Sequence, residues 1–259
     1  MSKSKDDLRT TRRLQYLEAA TSILIEDGVD ALTMMAIAKR VDAAVGTIYS
    51  YFPSKSGLLA ELQRNAFEFL SEVWQRALGR WTAELALEDS AIDLPLARVI
   101  LYKDFNFQCR DAFPLQNELQ AVFTKVSLDP EDLHRAMPAA SELFARVYGV
   151  IEHAQSKGSL DTAASAFDRS ILYGLSLHGV VSIYALPGAA TFLDPEHYAS
   201  MLTFDLLRSW GADASALETA AALTARVVEQ HPLSVIAGQD DSHGVGGFLG
   251  SRALLAGTI

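Results

Sequence analysis

The sequence holds one cysteine, Cys109, among 259 residues. One thiol builds neither a disulfide framework nor a thiolate metal cluster within a chain, which fits a reducing cytoplasm. Proline is sparse, with 8 residues, and no segment alternates apolar and polar residues as a half-buried strand does. Long apolar runs are missing too. The most apolar stretch, Ile171–Leu186, also carries His178 and falls short of the roughly 20 residues that a membrane span needs. It reads as a buried helix, so no membrane partner is expected. The N-terminus is charged with no apolar segment behind it, so no secretory leader is expected there. The histidines (His134, His153, His178, His197, His231 and His243) show no metal-ligand spacing. No glycine-rich loop follows a strand and no nucleophile motif occurs. The expectation is a protein that is not an enzyme and has no cofactor or metal.

Basic charge is also scarce. The chain carries 22 basic and 32 acidic residues, a net charge of −10. The imbalance is uneven. Residues 1–13 hold five basic residues (Lys3, Lys5, Arg9, Arg12, Arg13) against Asp6 and Asp7, a local +3. Residues 14–64 sum to −2, so the first 64 residues carry +1 and the rest carry −11. The acidic mass lies away from the N-terminal segment, which itself is barely basic.

What the sequence does have is apolar content of 49% in helical spacing, enough for one small domain and one larger one. Residues 1–9 are polar and read as disordered. Leu14, Leu17, Thr21 and Leu24 share one face of a helix over about Thr10–Asp27, closed by Gly28. Thr33 can cap a helix Met34–Val41. Asp42-Ala43-Ala44 forms a turn, and a further helix spans Val45–Phe52 before Pro53. Ser54 then caps a long helix to about Ala86, with Leu58, Leu62, Phe69, Val73 and Ala77 on an apolar face and no Pro or Gly between Leu58 and Leu78. Helices follow over 94–108, 114–126, Pro138–Lys157, Asp168–Ala185 and Pro195–Trp210, with a weaker one over 213–230. From His231 the Gly, Ser and Asp content predicts a mobile tail.

The segment Thr33–Lys55 carries the chemistry. Two short helices are joined by a tight turn, and small Ala36 and Ala38 permit close packing. The second helix displays Thr47, Tyr49 and Tyr51, hydroxyl donors suited to phosphates or base edges, while Val45 suits a thymine methyl. Lys55 falls in the first turn of the following helix, where the dipole disfavours a cation unless an anion docks beside it. Thr33 opens another helix of the same kind.

These residues resemble the N-terminal domain of the TetR (tetracycline-repressor-like) family. The matching positions are Thr33, Ile37-Ala38, Gly46-Thr47-Ile48-Tyr49, Tyr51-Phe52, Ser54-Lys55 and Leu58-Leu59. The resemblance spans about residues 10–65, a quarter of the chain. It implies an all-α protein: an N-terminal three-helix DNA-binding domain with a helix-turn-helix, followed by a larger helical ligand-binding and dimerisation bundle. The expected domains are 10–65 for DNA binding, 66–212 for ligand binding and dimerisation, and 213–259 for a weak helix and tail. The implied DNA contacts are Thr33, Val45, Gly46, Thr47, Tyr49, Tyr51 and Lys55. The implied partners are double-stranded DNA, a second copy of the chain and a small apolar effector. The sequence departs from the family pattern at Asp42, where glycine is usual, and at Ala44, where a Ser or Thr cap is usual. It departs again at Ser56 and Gly57, where acidic residues are usual.

Major-groove readers pair across half-sites, and a two-fold dimer supplies the second head. The segments 168–185 and 195–210 are the dimer candidates. Gly174, Gly179 and Ser182 allow close approach in the first; Tyr198, Leu202 and Leu206 line one face of the second. An aromatic-rich region precedes them. As a ligand site it offers Phe105, Cys109, Phe144, Tyr148 and His178, a pocket implied by the resemblance. The sequence reads as a ligand-responsive repressor that binds a palindromic operator as a homodimer. The missing cap at Ala44 keeps an alternative: a helical small-molecule-binding or adaptor protein that has lost specific DNA binding.

Overall fold

The computed structural model describes residues 5–112, 128–185 and 188–238. The regular structure among them is helical: α1 Lys5–Asp27, α2 Met34–Arg40, α3 Val45–Tyr49, α4 Lys55–Glu88, α5 Leu94–Ala112, α6 Pro130–Ser156, α7 Ala166–Val181, α8 Pro195–Ser209, α9 Ala214–Gln230 and α10 Leu233–Gly238. Two short 3₁₀ turns, Ser182–Ala185 and Ala189–Thr191, lie between α7 and α8. The fold is all-α, as the sequence predicts. The expected helix over 114–126 and the tail beyond 238 lie outside the described residues. Two compact units form. Among the described residues, the first holds 5–70 and 128–141 and the second holds 71–111 and 142–238.

In the first unit, α1 packs on α2 and α2 on α3. Leu17, Thr21 and Leu24 are buried on the face that periodicity predicts, joined by Tyr16, Ala20 and Ile23. Gly28 ends α1 with φ 79° and donates to the Leu24 carbonyl at 3.0 Å. The helix begins at Lys5 rather than Thr10, which corrects the expected disorder for residues 5–9. No helix breaker stands there, and acidic Asp7 falls where the helix dipole favours negative charge.

Two further differences lie later in the chain. Helix α6 begins at Pro130 rather than Pro138. Pro130 takes the first helical position, where its missing N–H costs nothing, and the helix continues through Pro138. Residues 231–238 are also ordered. The Trp81 indole N–H donates to the His231 carbonyl at 2.8 Å, the Leu233 N–H donates to Gln108 Oε1 at 2.5 Å, and Leu233 is fully buried as α10 begins. Helix α9 is firm, capped by Asp213 and buried along Leu217, Ala220, Leu223 and Val227.

The junction of α6, α7 and α8 is held by Arg169, which is 3% exposed. Its guanidinium donates to the Asp161 carbonyl at 2.5 Å and pairs with the Asp161 carboxylate. It also lies 5.2 Å over the Trp210 ring. The Asp161 N–H in turn donates to the Trp210 carbonyl at 2.7 Å. Gly211, at φ 86°, leaves room for this loop, since a Cβ there would meet Asp161 at 3.0 Å. Removing Arg169 takes away the donor to the Asp161 carbonyl and carboxylate and the cation over Trp210 that tie this loop to α7. Arg169→Met is expected to lower the melting temperature by roughly 5 °C or more, read by circular dichroism. A wild-type melting curve would show that the pair contributes nothing.

Candidate nucleic-acid interface

Helix α2 starts because the Thr33 hydroxyl accepts the Ala36 N–H at 3.0 Å. Met34, Ile37 and Ala38 are buried beneath it. The turn follows through Asp42, at φ 51°, with the Ala43 N–H donating to the Ala38 carbonyl at 2.9 Å. Aspartate tolerates this left-handed backbone better than most residues, so it serves where glycine is usual. Ala44 takes the extended capping conformation but offers no side-chain bond.

Helix α3 is shorter than expected, ending at Tyr49 rather than Phe52. Ser50 through Phe52 close as a turn, with the Tyr51 and Phe52 N–H groups both donating to the Ile48 carbonyl at 3.0 and 2.9 Å. Pro53 explains this, because a residue before proline disfavours continued helix. Ile48 and Phe52 anchor the segment at 0% and 1% exposure. The opposite side faces solvent. Tyr49 is 48% exposed, Gly46 is exposed, and Val45 and Thr47 are half-buried. A Cβ added at Gly46 meets nothing within 4 Å. The chain's own packing therefore does not require glycine there.

Tyr51 is half-buried. Its ring meets Tyr16 edge-on at 5.1 Å, and Arg9 lies 5.8 Å over it. Arg13 donates to the Tyr51 carbonyl at 2.9 Å, pairs with Glu61 and stacks 4.5 Å over Phe52. Beside Tyr51 lies an open groove of about 510 Å³, lined by Leu8, Arg9, Arg12 and Ser50 as well. Sequence reasoning counted Arg9 and Arg12 only as N-terminal charge, with Arg9 in a segment expected to be disordered. Because α1 starts at Lys5, both stand on a helix beside the end of α3.

Lys55 is half-buried and its Nζ donates to the Val29 carbonyl at 3.4 Å. Ser54 caps α4, its Oγ accepting the Gly57 N–H at 2.9 Å. The first turn of α4 has no acidic residue of its own. One arrives from α6 instead. Asp132, 7% exposed, accepts from the Ser54 hydroxyl at 3.4 Å and from Arg135 at 2.9 Å. The Asp129 N–H donates to Ser56 Oγ at 2.9 Å. A Cβ on Gly57 would lie 3.3 Å from Ser54 Oγ and 3.4 Å from Asp132 Oδ1. The two departures after Lys55 thus seat the first turn of α6.

The sequence-derived ligand residues lie in the second unit. Phe105 and Cys109 are buried four residues apart on α5, Phe105 against Trp74 at 5.0 Å. Burial pushes the Cys109 thiol up. Phe144 meets Phe167 edge-on at 5.6 Å. The Tyr148 hydroxyl donates to Glu152 at 2.6 Å, which raises its pKa. His178 is exposed on α7. Among the described residues, no group of three or more His, Cys, Asp or Glu is placed to hold a metal, and no helix is long and apolar enough to cross a membrane.

Two short helices at a left-handed turn, with the second pinned from behind and open in front, define a helix-turn-helix head. Residues 17–62 match the family described as bacterial regulatory proteins, tetR family, and that segment is similar to its N-terminal domain. It is 42% identical over 66 residues to the HTH-type transcriptional repressor KstR of Mycolicibacterium smegmatis, covering 26% of this chain and 32% of that protein. It is 38% identical over 80 residues to KstR of Rhodococcus jostii, covering 29% and 38%. The matched stretch therefore spans about a third of these curated relatives. Among solved structures, RolR in complex with resorcinol is similar with a TM-score of 0.56 at 18% identity, covering 86% of this chain and 97% of that one. A protein of unknown function from Rhodococcus sp. RHA1 has a TM-score of 0.56 at 19% identity, covering 76% and 94%. These two show the fold.

Gly46→Ala separates a folding role from a contact role. Alanine is the better helix former by up to about 1 kcal/mol and meets no neighbour, so the melting temperature should hold or rise. Binding to duplex DNA should weaken. Equal affinity of variant and wild type would remove Gly46 from the interface.

Proposed function

We propose that this chain is a DNA-binding transcriptional regulator, a repressor that acts as a homodimer on a palindromic operator. The observation that carries this reading is the exposed face of α3. Tyr49 stands open on a five-residue helix whose other side is fixed by Ile48. Gly46 and Thr47 neighbour it, and Thr33 and Lys55 lie at the starts of α2 and α4. The Thr33 oxygen is engaged in capping, which leaves its hydrogen to donate to a phosphate. Lys55 spends one donor on Val29 and retains two. Arg9 and Arg12 extend the cationic edge along α1. An adaptor that had lost DNA binding would select no sequence at all.

The test is selection of bound duplexes from a random pool with the full chain. A palindrome with half-sites about one helical turn apart is expected. An asymmetric single half-site would contradict the two-fold dimer. On the selected site, Tyr49→Ala and Lys55→Ala should each weaken binding strongly while the fold persists. Lys55→Ala should also lower the salt slope by about one phosphate's worth. Unchanged affinity in either variant sinks that contact.

The dimer surface we assign to α7 and α8, which pack against each other. Tyr173, Leu177, Ala199, Thr203 and Leu207 face inward and are buried. Phe167, Leu172, Leu175, Tyr198 and Met201 are 55%, 50%, 67%, 39% and 48% exposed on the outer side. Apolar exposure of this extent on two adjoining helices fits an interface. Leu175→Arg should convert the dimer to a monomer in light scattering; a dimer that survives it lies elsewhere.

A small, largely apolar effector completes the reading. Helix α4 spans 34 residues, about 51 Å, and belongs to both units. An effector that prefers one disposition of this rod shifts the population of head positions. Coupling of about 1–3 kcal/mol is ordinary for such a switch and is reciprocal. Calorimetry with and without saturating operator measures it, and equal effector affinities would show an uncoupled site.

A further inference from the structure

We propose that the cavity between α5, α8 and α9 binds a small organic cation, its ammonium group held between the carboxylates of Asp104 and Glu196. The cavity measures about 220 Å³ and is lined by Lys103, Asp104, Phe107, Gln108, Glu196, Ser200 and Val228. Its charged groups are one lysine and two carboxylates, so it carries an uncompensated negative charge. Lys103 Nζ lies 2.6 Å from Asp104 Oδ1 and is committed to that oxygen. Asp104 Oδ2 is buried and accepts no hydrogen bond among the described residues. Glu196, on the rim, has no ion pair among the described residues, yet its charge reaches Asp104.

Burial drives the Asp104 carboxyl upward, Lys103 pulls it back, and Glu196 pushes it up again. A second cation between the two acids relieves both costs, which Lys103 alone does not. The rest of the lining fits such a guest. Gln108 spends its oxygen on the Leu233 N–H, so its amide N–H₂ and the Ser200 hydroxyl are left for a polar end. Phe107 and Val228 are buried and offer an apolar wall to a short carbon chain, with the Phe107 ring available to the cation. An anionic or purely apolar guest would meet uncompensated carboxylates. The site is separate from Phe105 and Cys109, and it does not depend on the DNA-binding reading.

The test is calorimetry on the full chain with 1,4-diaminobutane, and with 1,4-butanediol as the uncharged counterpart. Saturable binding of the diamine at one site, with none of the diol, is expected. Asp104→Asn and Glu196→Gln should each weaken the diamine roughly tenfold, the effect of losing a charged hydrogen-bond partner. Lys103→Met removes the competing cation and should tighten it. Circular dichroism of each variant checks the fold. Equal binding of diamine and diol, or wild-type affinity in both carboxylate variants, overturns the proposal. A folded Lys103→Met protein that binds more weakly also overturns it.

Discussion

Everything in the proposed reading head depends on the two-residue junction at Pro53 and Ser54. Proline bars helix at Phe52, and the Ser54 hydroxyl starts α4 at once by accepting the Gly57 N–H. No free hinge separates α3 from α4. Phe52 and Ile48 are seated in the core, and Arg13 ties α1 to both sides of the junction through the Tyr51 carbonyl and Glu61. A rotation of α4 therefore carries α3 with it.

The charge distribution complements this arrangement. A chain with net charge −10 repels duplex DNA at long range. The basic residues that oppose this repulsion stand on α1 at Arg9 and Arg12, beside the groove that includes Tyr51. Affinity in such a protein rests on a few placed contacts and little on a general basic surface, so its salt dependence should be modest.

The head was legible in the sequence because its determinants are local. Thr33, Asp42, Pro53 and Ser54 each act on backbone within four residues, and each does in the structure what its chemistry predicts. The misread elements depend on distant partners. Residues 231–238 look like a tail by composition, yet they are ordered by Trp81, 150 positions away. The expected start of α6 at Pro138 missed its first eight residues; contacts of Asp129 and Asp132 with Ser56 and Ser54, distant in sequence, accompany the start at Pro130. The start of α1 was hidden by polarity, since its first turns bury little. Aromatic spacing gave Phe105 and Cys109 as buried on α5, but it carries no information on exposure at His178.

The seat of Asp132 on the first turn of α4 ties positions far apart in the sequence into one compatibility group. Restoring an acidic residue at Gly57, as relatives of the family carry, would set two carboxylates against each other in a space too small for a Cβ to enter freely. Losing Asp132 alone would take the buried carboxylate away from the first turn of α4 and leave Arg135 without its partner. Neither step is neutral by itself, so the order of substitution matters. The glycine and the distant aspartate are therefore coupled through their contact, and transplanting this head onto another body of the same fold would call for residues 129–135 to travel with it.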